Sequence, residues 1–175
     1  DYMPTEAFFG RYLAPVTTVK GSRQISKSSF LAARTLTLAL AIPYFKILFV
    51  FPLYEQVSRF STQYVRKLIM ESPIAAAFSG QGTEKSVLTR SFTNFSKMSF
   101  SFASLSVERA RGLSVNLLGI DEIQNLDPRF LPILLETMSA SRVQDNKTGK
   151  SHRVSFRYNT GTPLSMDNID RKSVV

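Results

Sequence analysis

Lys20-Gly21-Ser22-Arg23-Gln24-Ile25-Ser26-Lys27-Ser28-Ser29 is the stretch on which the reading of this chain turns. A phosphate-binding loop requires a glycine, four free positions, a second glycine, then Lys followed by Ser or Thr. Gly21 and Lys27-Ser28 stand at the required separation, but Ser26 fills the second glycine position. In such a loop the backbone N–H groups and the N-terminus of the following helix surround a polyphosphate. Lys27 would reach the outer phosphates and Ser28 would hold Mg²⁺. Ser26 matters if that backbone needs a positive φ, although serine is the mildest replacement available. Without the glycine, the same residues also read as an ordinary basic turn before a helix, so their setting has to decide.

That setting is strand, loop, helix. Pro15 to Lys20 is short and rich in β-branched residues, and predicts a strand running into Gly21. Ser28 to Ile42 is dense in Ala and Leu and stops at Pro43, which predicts a mostly buried helix. Phe45 to Phe51 is a continuous apolar run between prolines, as expected for a strand buried on both faces of a parallel sheet. From Glu55 to Glu71, Val57, Phe60, Tyr64, Leu68 and Ile69 recur at helical spacing, so an amphipathic helix completes a second strand–helix unit. Gln56 opens that helix and reads either as part of a helicase-type motif or as a polar residue on its exposed side.

Further along, residues 73–82 look irregular, and Lys85 to Thr93 with Lys97 to Leu105 predict an antiparallel pair or sheet-edge strands. Val115 to Ile120 is another apolar strand, and it ends in Asp121-Glu122. In a parallel α/β sheet the strand C-termini gather along one edge, which would set these acids beside the phosphate loop. Asp121 would support Mg²⁺ and Glu122 would orient or deprotonate an attacking water. Two acids closing a surface strand is the plainer alternative. Asp127-Pro128 predicts a helix start, with the helix reaching about Ser141. Residues 142–153 read as a polar, basic loop, in which His152 is a solvated residue. Basic residues between Arg142 and Arg157 either touch phosphate or are simply solvated. Val154 to Thr160 predicts a strand, followed by a turn at Gly161-Thr162-Pro163 where Thr162 could sense a γ-phosphate.

Composition narrows the classes. A chain of 175 residues, 43% hydrophobic, is long enough for one domain with a substantial core. A net charge of +9 suits a polyanionic partner such as nucleic acid. Without cysteine there are no disulfides or thiolate metal sites, and one histidine makes no histidine metal cluster. Phe30 to Leu53 is long enough to test as a membrane span. Arg34, Lys46, Pro43 and Pro52 interrupt it, so a buried helix followed by a buried strand is the better reading. No secretory signal is legible at the start.

With these features in order, the chain resembles the N-terminal ATPase domain of the large terminase subunit, the DNA-packaging motor of tailed double-stranded DNA phages. The resemblance rests on the Gly21–Ser29 loop with its Ser22-Arg23-Gln24 core, Pro52 to Gln56 after the second strand, and Arg111-Gly112 ahead of the acidic strand. Leu117 to Gln124 and Gly161-Thr162-Pro163 complete it. It implies an α/β fold, a three-layer P-loop NTPase of the RecA/ASCE kind with a mainly parallel central sheet flanked by helices. It implies a single ATPase domain over 1–175, truncated, since a lid region and a C-terminal nuclease domain do not fit after Pro163; nuclease activity is therefore not expected.

The implied activity is ATP hydrolysis that drives double-stranded DNA into a procapsid, with ATP and Mg²⁺ bound. Gly21, Ser22, Arg23, Gln24, Ile25, Ser26, Lys27, Ser28 and Ser29 would line the nucleotide, with Arg23 the extra basic side chain of terminase loops. Ser28 and Asp121 would hold the metal, Glu122 would activate water, Arg111 would act as an arginine finger across subunits, and Thr162 would couple hydrolysis to movement. The implied partners are DNA, the portal and procapsid, the small terminase subunit and further copies in a ring, in the cytoplasm of the infected bacterium. A RecA-like helicase or translocase domain is the alternative within enzymes. A nucleotide-binding assembly module without hydrolysis is the alternative outside them.

Overall fold

A computed structural model describes residues 16–21, 26–80, 83, 85–102, 113–144, 149, 151–153 and 155–161. Its centre is a six-stranded sheet in the order β1-β8-β5-β2-β4-β3. The strands are β1 (Val16–Lys20), β2 (Lys46–Phe51), β3 (Thr89–Ser91), β4 (Lys97–Phe102), β5 (Leu117–Ile120) and β8 (Phe156–Gly161). All neighbours pair in parallel except β3, which runs antiparallel to β4 at the edge. This is the mainly parallel sheet expected from the apolar runs.

β2 shows why such runs lack alternation. Ile47, Phe49 and Phe51 enter one core with Leu31, Ala32, Leu36, Val57 and Phe60, while Leu48 and Val50 enter a second core with Ile123, Leu131 and Leu134. Both faces are covered by helical layers, so every position after Lys46 is buried. The first core is aromatic, with Phe49 stacked on Phe100 at 5.8 Å and tilted against Phe60 at 4.9 Å. α1 (Lys27–Ala41) covers this face, and its last carbonyls find donors beyond the helix. Asn94 Nδ2 donates to the carbonyls of Ala39 and Leu40 at 2.8 and 3.1 Å.

Four expectations need correction. The helix over 55–71 is not uniform: α2 (Tyr54–Arg59) passes through a π-helical stretch, Phe60–Arg66, into α3 (Lys67–Glu71). Buried Arg90 donates to the backbone and hydroxyl oxygens of Ser61 in that stretch at 3.2 and 3.3 Å. The region after Pro73 is not irregular throughout, because α4 (Pro73–Phe78) starts on Ser72, whose hydroxyl accepts from the Ala75 N–H. The helix after Asp127 is split into a 3₁₀ turn, Pro128–Phe130, and the short α5 (Leu131–Glu136), with Pro132 in its first turn.

Finally, the expected basic loop contains a two-stranded ribbon, β6 (Arg142–Gln144) antiparallel to β7 (Ser151–Arg153), with His152 on β7. Arg157, at the end of the basic stretch, is buried in β8 and is not on a solvated surface. Among the described residues no helix is long and apolar enough to cross a membrane.

Candidate active site

Sheet register decides which strand ends meet. Lys20 lies opposite Gly161 and Ile120 opposite Asn159, so the C-terminal ends of β1, β8 and β5 form one continuous edge. Gly21 leaves β1 there, its N–H donating to the Gly161 carbonyl at 3.3 Å. Asp121 leaves β5 beside it, with its N–H bonded to the Val50 carbonyl at 3.0 Å. Open parallel sheets bind ligands at this kind of edge.

α1 begins at the same edge. Its cap residue Ser26 has φ 57° and ψ 25°, the left-handed region that a glycine would occupy freely. The loop therefore keeps at this position the backbone shape that the missing glycine normally supplies. Ser26 makes no side-chain capping bond and the first turn of α1 carries no acid. A helix start of this kind leaves donors for an anion. Lys27 follows, and its Nζ donates to the carbonyls of Gly21 at 2.6 Å and Gly161 at 3.1 Å. Ser28 is half-buried and Ser29 exposed in the first turn.

Asp121 and Glu122 stand in different surroundings. Burial pushes the Asp121 carboxyl above the usual carboxylate range, and the negative charge of Glu122 adds to this; a hydrogen bond from Thr160, backbone bonding at Glu122 and the charge of Lys27 oppose it. The Thr160 hydroxyl donates to Asp121 Oδ1. Glu122 turns the chain into a 3₁₀ turn, Ile123–Asn125, and has φ 48° and ψ 52°. Its Oε2 accepts from Gln56 Nε2 at 3.0 Å and from Asn125 Nδ2 at 3.1 Å.

The structure thus brings together Gly21, Ser26, Lys27, Ser28, Asp121 and Glu122. Ser22, Arg23, Gln24, Ile25, Arg111 and Thr162 lie outside the described residues. Three site neighbours escaped the sequence reading: Thr160, Asn125 and, as a contact of Glu122, Gln56. The proline-to-glutamine stretch after β2 was the one signal available for Gln56.

A mostly parallel sheet between helical layers, entered from β1 through a glycine loop into α1, is the P-loop NTPase fold. No protein-family profile and no curated protein matches the chain. Among solved structures it is similar to the large terminase ATPase domain of Thermus phage P74-26, with a TM-score of 0.66 at 16% identity over 95% of this chain and 67% of that one. It is also similar to the large terminase of the thermophilic bacteriophage D6E in complex with ADP, with a TM-score of 0.57, 12% identity, 89% of this chain and 38% of that one. The genome packaging motor assembly of bacteriophage Phi-29 gives a TM-score of 0.52 at 13% identity, over 91% and 46%. The chain therefore shares its fold with phage terminase ATPase domains, and spans well under half of the D6E terminase.

Proposed function

We propose that this chain is the ATP-hydrolysing motor domain of a viral terminase large subunit, acting to drive double-stranded DNA into a procapsid. The observation that carries the reading is that Lys27 and Asp121 are held at one sheet edge by adjacent residues of β8: Lys27 donates to the Gly161 carbonyl and Asp121 accepts from the Thr160 hydroxyl. The uncapped start of α1 and the glycine-like backbone of Ser26 fit a bound polyphosphate.

In this reading Lys27 binds the β- and γ-phosphates, with the backbone from Gly21 to Ser29 around them. Ser28 and Asp121 would hold Mg²⁺, a cation that takes one or two protein oxygens together with substrate phosphates. When bound, Mg²⁺ neutralises charge on the β- and γ-phosphate oxygens. Glu122 orients the attacking water and accepts its proton. Arg111, from a neighbouring subunit of a ring, stabilises the charge of the transition state, and Thr162 couples hydrolysis to movement. The likeness to large terminase and genome-packaging-motor chains supports a place in a packaging assembly; in this reading the partners are DNA, the procapsid portal and the small terminase subunit, in the cytoplasm of an infected bacterium.

The test is DNA- and procapsid-stimulated ATP hydrolysis by the longest parent protein. Lys27→Ala and Glu122→Ala should each lower the rate by about 10²-fold or more. Unchanged hydrolysis in both overturns the site, and nucleotide binding without hydrolysis in the parent favours an assembly module. In mixtures with Arg111→Ala subunits, the rate should fall more steeply than the mutant fraction. A strictly linear loss argues against action across subunits.

A further inference from the structure

The turns into β2 and β4 carry the same three-residue pattern. Tyr44-Phe45-Lys46 leads into one strand and Phe95-Ser96-Lys97 into the other. Tyr44 has φ 59° and Phe95 φ 65°, a left-handed backbone that bulky side chains rarely adopt. Both rings are mostly exposed, at 64% and 68%, and they stack on each other at 5.1 Å with planes 9° apart. The two turns are braced together. The buried Ser96 hydroxyl donates to the Ile42 carbonyl at 2.7 Å and accepts from the Phe45 N–H at 3.1 Å, while the Tyr44 N–H reaches the Asn94 carbonyl at 3.1 Å. An aromatic pair held open to solvent on strained backbone points to contact with something outside the chain. Beside it, Lys46 lies opposite Lys97 in the parallel pairing, two like charges that repel. Together with Thr89, Ser99, Leu113 and Ser114 these lysines line a groove of about 350 Å³. The sheet explains its polar floor. On the face where β2 places Leu48 and Val50 in the second core, β4 places Lys97, Ser99 and Ser101, and β3 pairs Thr89 and Ser91 with them. Among the described residues, none from β3 or β4 belongs to that core, and these hydroxyl residues stay partly exposed.

We propose that this edge, centred on Lys46, Lys97 and the Tyr44–Phe95 pair, is a contact surface for the phosphodiester backbone of duplex DNA. This rests on the reading of DNA as the translocated partner. The lysines neutralise phosphates, the Ser99 and Thr89 hydroxyls donate to phosphate oxygens, and the two rings cover deoxyribose. Charge complementarity favours a nucleic acid over a protein: the chain carries a net charge of +9, and no acid lines the groove. All strands but β3 run in one direction, so this edge is the one opposite Lys27 and Asp121. DNA held here leaves the nucleotide edge open.

The test is binding of a mixed-sequence duplex by the parent protein, without nucleotide or divalent metal, read by fluorescence anisotropy across roughly 50–200 mM salt. Lys46→Ala/Lys97→Ala removes two phosphate contacts. Binding should weaken by about tenfold at the low end, and the salt slope of log K should shrink by about two, since each contact contributes about 0.9. Arg66→Ala/Lys67→Ala takes two exposed charges from the helical layer instead, and should change both readings by less than half as much. Tyr44→Asn/Phe95→Asn removes the rings but keeps residues that tolerate a left-handed backbone. It should weaken binding by about threefold or more with the slope unchanged, because no charge is lost. Equal losses from the two cationic pairs would reduce the effect to net charge and overturn the surface. Undiminished duplex binding overturns it too, and lost binding of polyglutamate in the same variants would give the edge to an acidic protein segment. A parent that binds no duplex at any salt overturns the DNA-motor reading and this surface with it.

Discussion

Lys27 Nζ donates to the carbonyl of Gly161 at 3.1 Å, tying the first residue of α1 to the last residue of β8. The same ammonium also holds the Gly21 carbonyl at 2.6 Å, so one cation gathers the ends of β1 and β8. A phosphate that draws Lys27 away would release both carbonyls at once. The consequence for binding is direct. Lys27→Met removes a charge-assisted bond of about 1.5–3 kcal/mol, so ADP affinity should fall roughly ten- to hundredfold. A ligand at 100 times its Kd stabilises the folded chain by about 2.7 kcal/mol, so at the same ADP concentration the variant should keep only about 0.4–1.4 kcal/mol and its thermal shift should fall by half or more. An undiminished shift would place the nucleotide elsewhere.

Ser26 tests whether the loop carries strain. A non-glycine residue in the left-handed region costs about 1–2 kcal/mol, and its φ of 57° lies there. Ser26→Gly removes that cost but adds about 0.4–1 kcal/mol of unfolded-state entropy. A net gain of about 0.5 kcal/mol is expected in denaturant unfolding, with Ser26→Val moving the midpoint the other way by more than about 1 kcal/mol. A stabilising Ser26→Val would contradict the assignment of backbone shape.

How much of this was legible beforehand depended on whether a feature was local. β2 between its prolines, β5 ending in Asp121-Glu122, and the passage from Val19 through Gly21 into α1 all follow from runs of residues that carry their own signal. The edge pairing of β3 with β4 followed in the same way. What escaped was tertiary. Gln56 has the periodicity of an exposed helical residue, and only the register that brings β5 beside β2 turns it into a contact of Glu122. Thr160 gains its role from lying next to Asp121 across β8 and β5. The ribbon of β6 and β7 has no apolar alternation to announce it, and the π-helical stretch is tied to Arg90, from another strand, at Ser61.

Asp121 should be a measurable liability in the protein without nucleotide. Its folded pKa is raised above the unfolded value, chiefly by burial. The folded state therefore binds its proton more tightly, and Asp121 favours folding most below the unfolded pKa. That contribution is lost as pH rises through the folded pKa, and above it the buried charge is a constant cost. Asp121→Asn keeps an oxygen for the Thr160 hydroxyl and carries no charge. It should raise the thermal midpoint at neutral pH and flatten the decline of stability as pH rises above the ordinary aspartate range, while weakening Mg²⁺-dependent nucleotide binding. A lower midpoint at neutral pH would mean that the Thr160 bond and the charge of Lys27 outweigh burial.

Gly119 marks where the sheet tolerates no side chain. It lies opposite Phe49 in the pairing of β5 with β2, and a Cβ built on it would stand 2.3 Å from two carbons of the Phe49 ring. That ring is fully buried, stacked on Phe100 and tilted against Phe60, so it has little room in which to yield. Gly119→Ala should therefore destabilise the chain by about 1–3 kcal/mol, the usual cost of overpacking a filled core. The same change displaces the end of β5 that presents Asp121 and Glu122, so hydrolysis by the parent should fall further than ADP binding. Pairing it with Phe49→Leu opens space on the facing strand and should recover part of the lost stability. Two independent, additive losses would show that the close approach is not what requires glycine at this position.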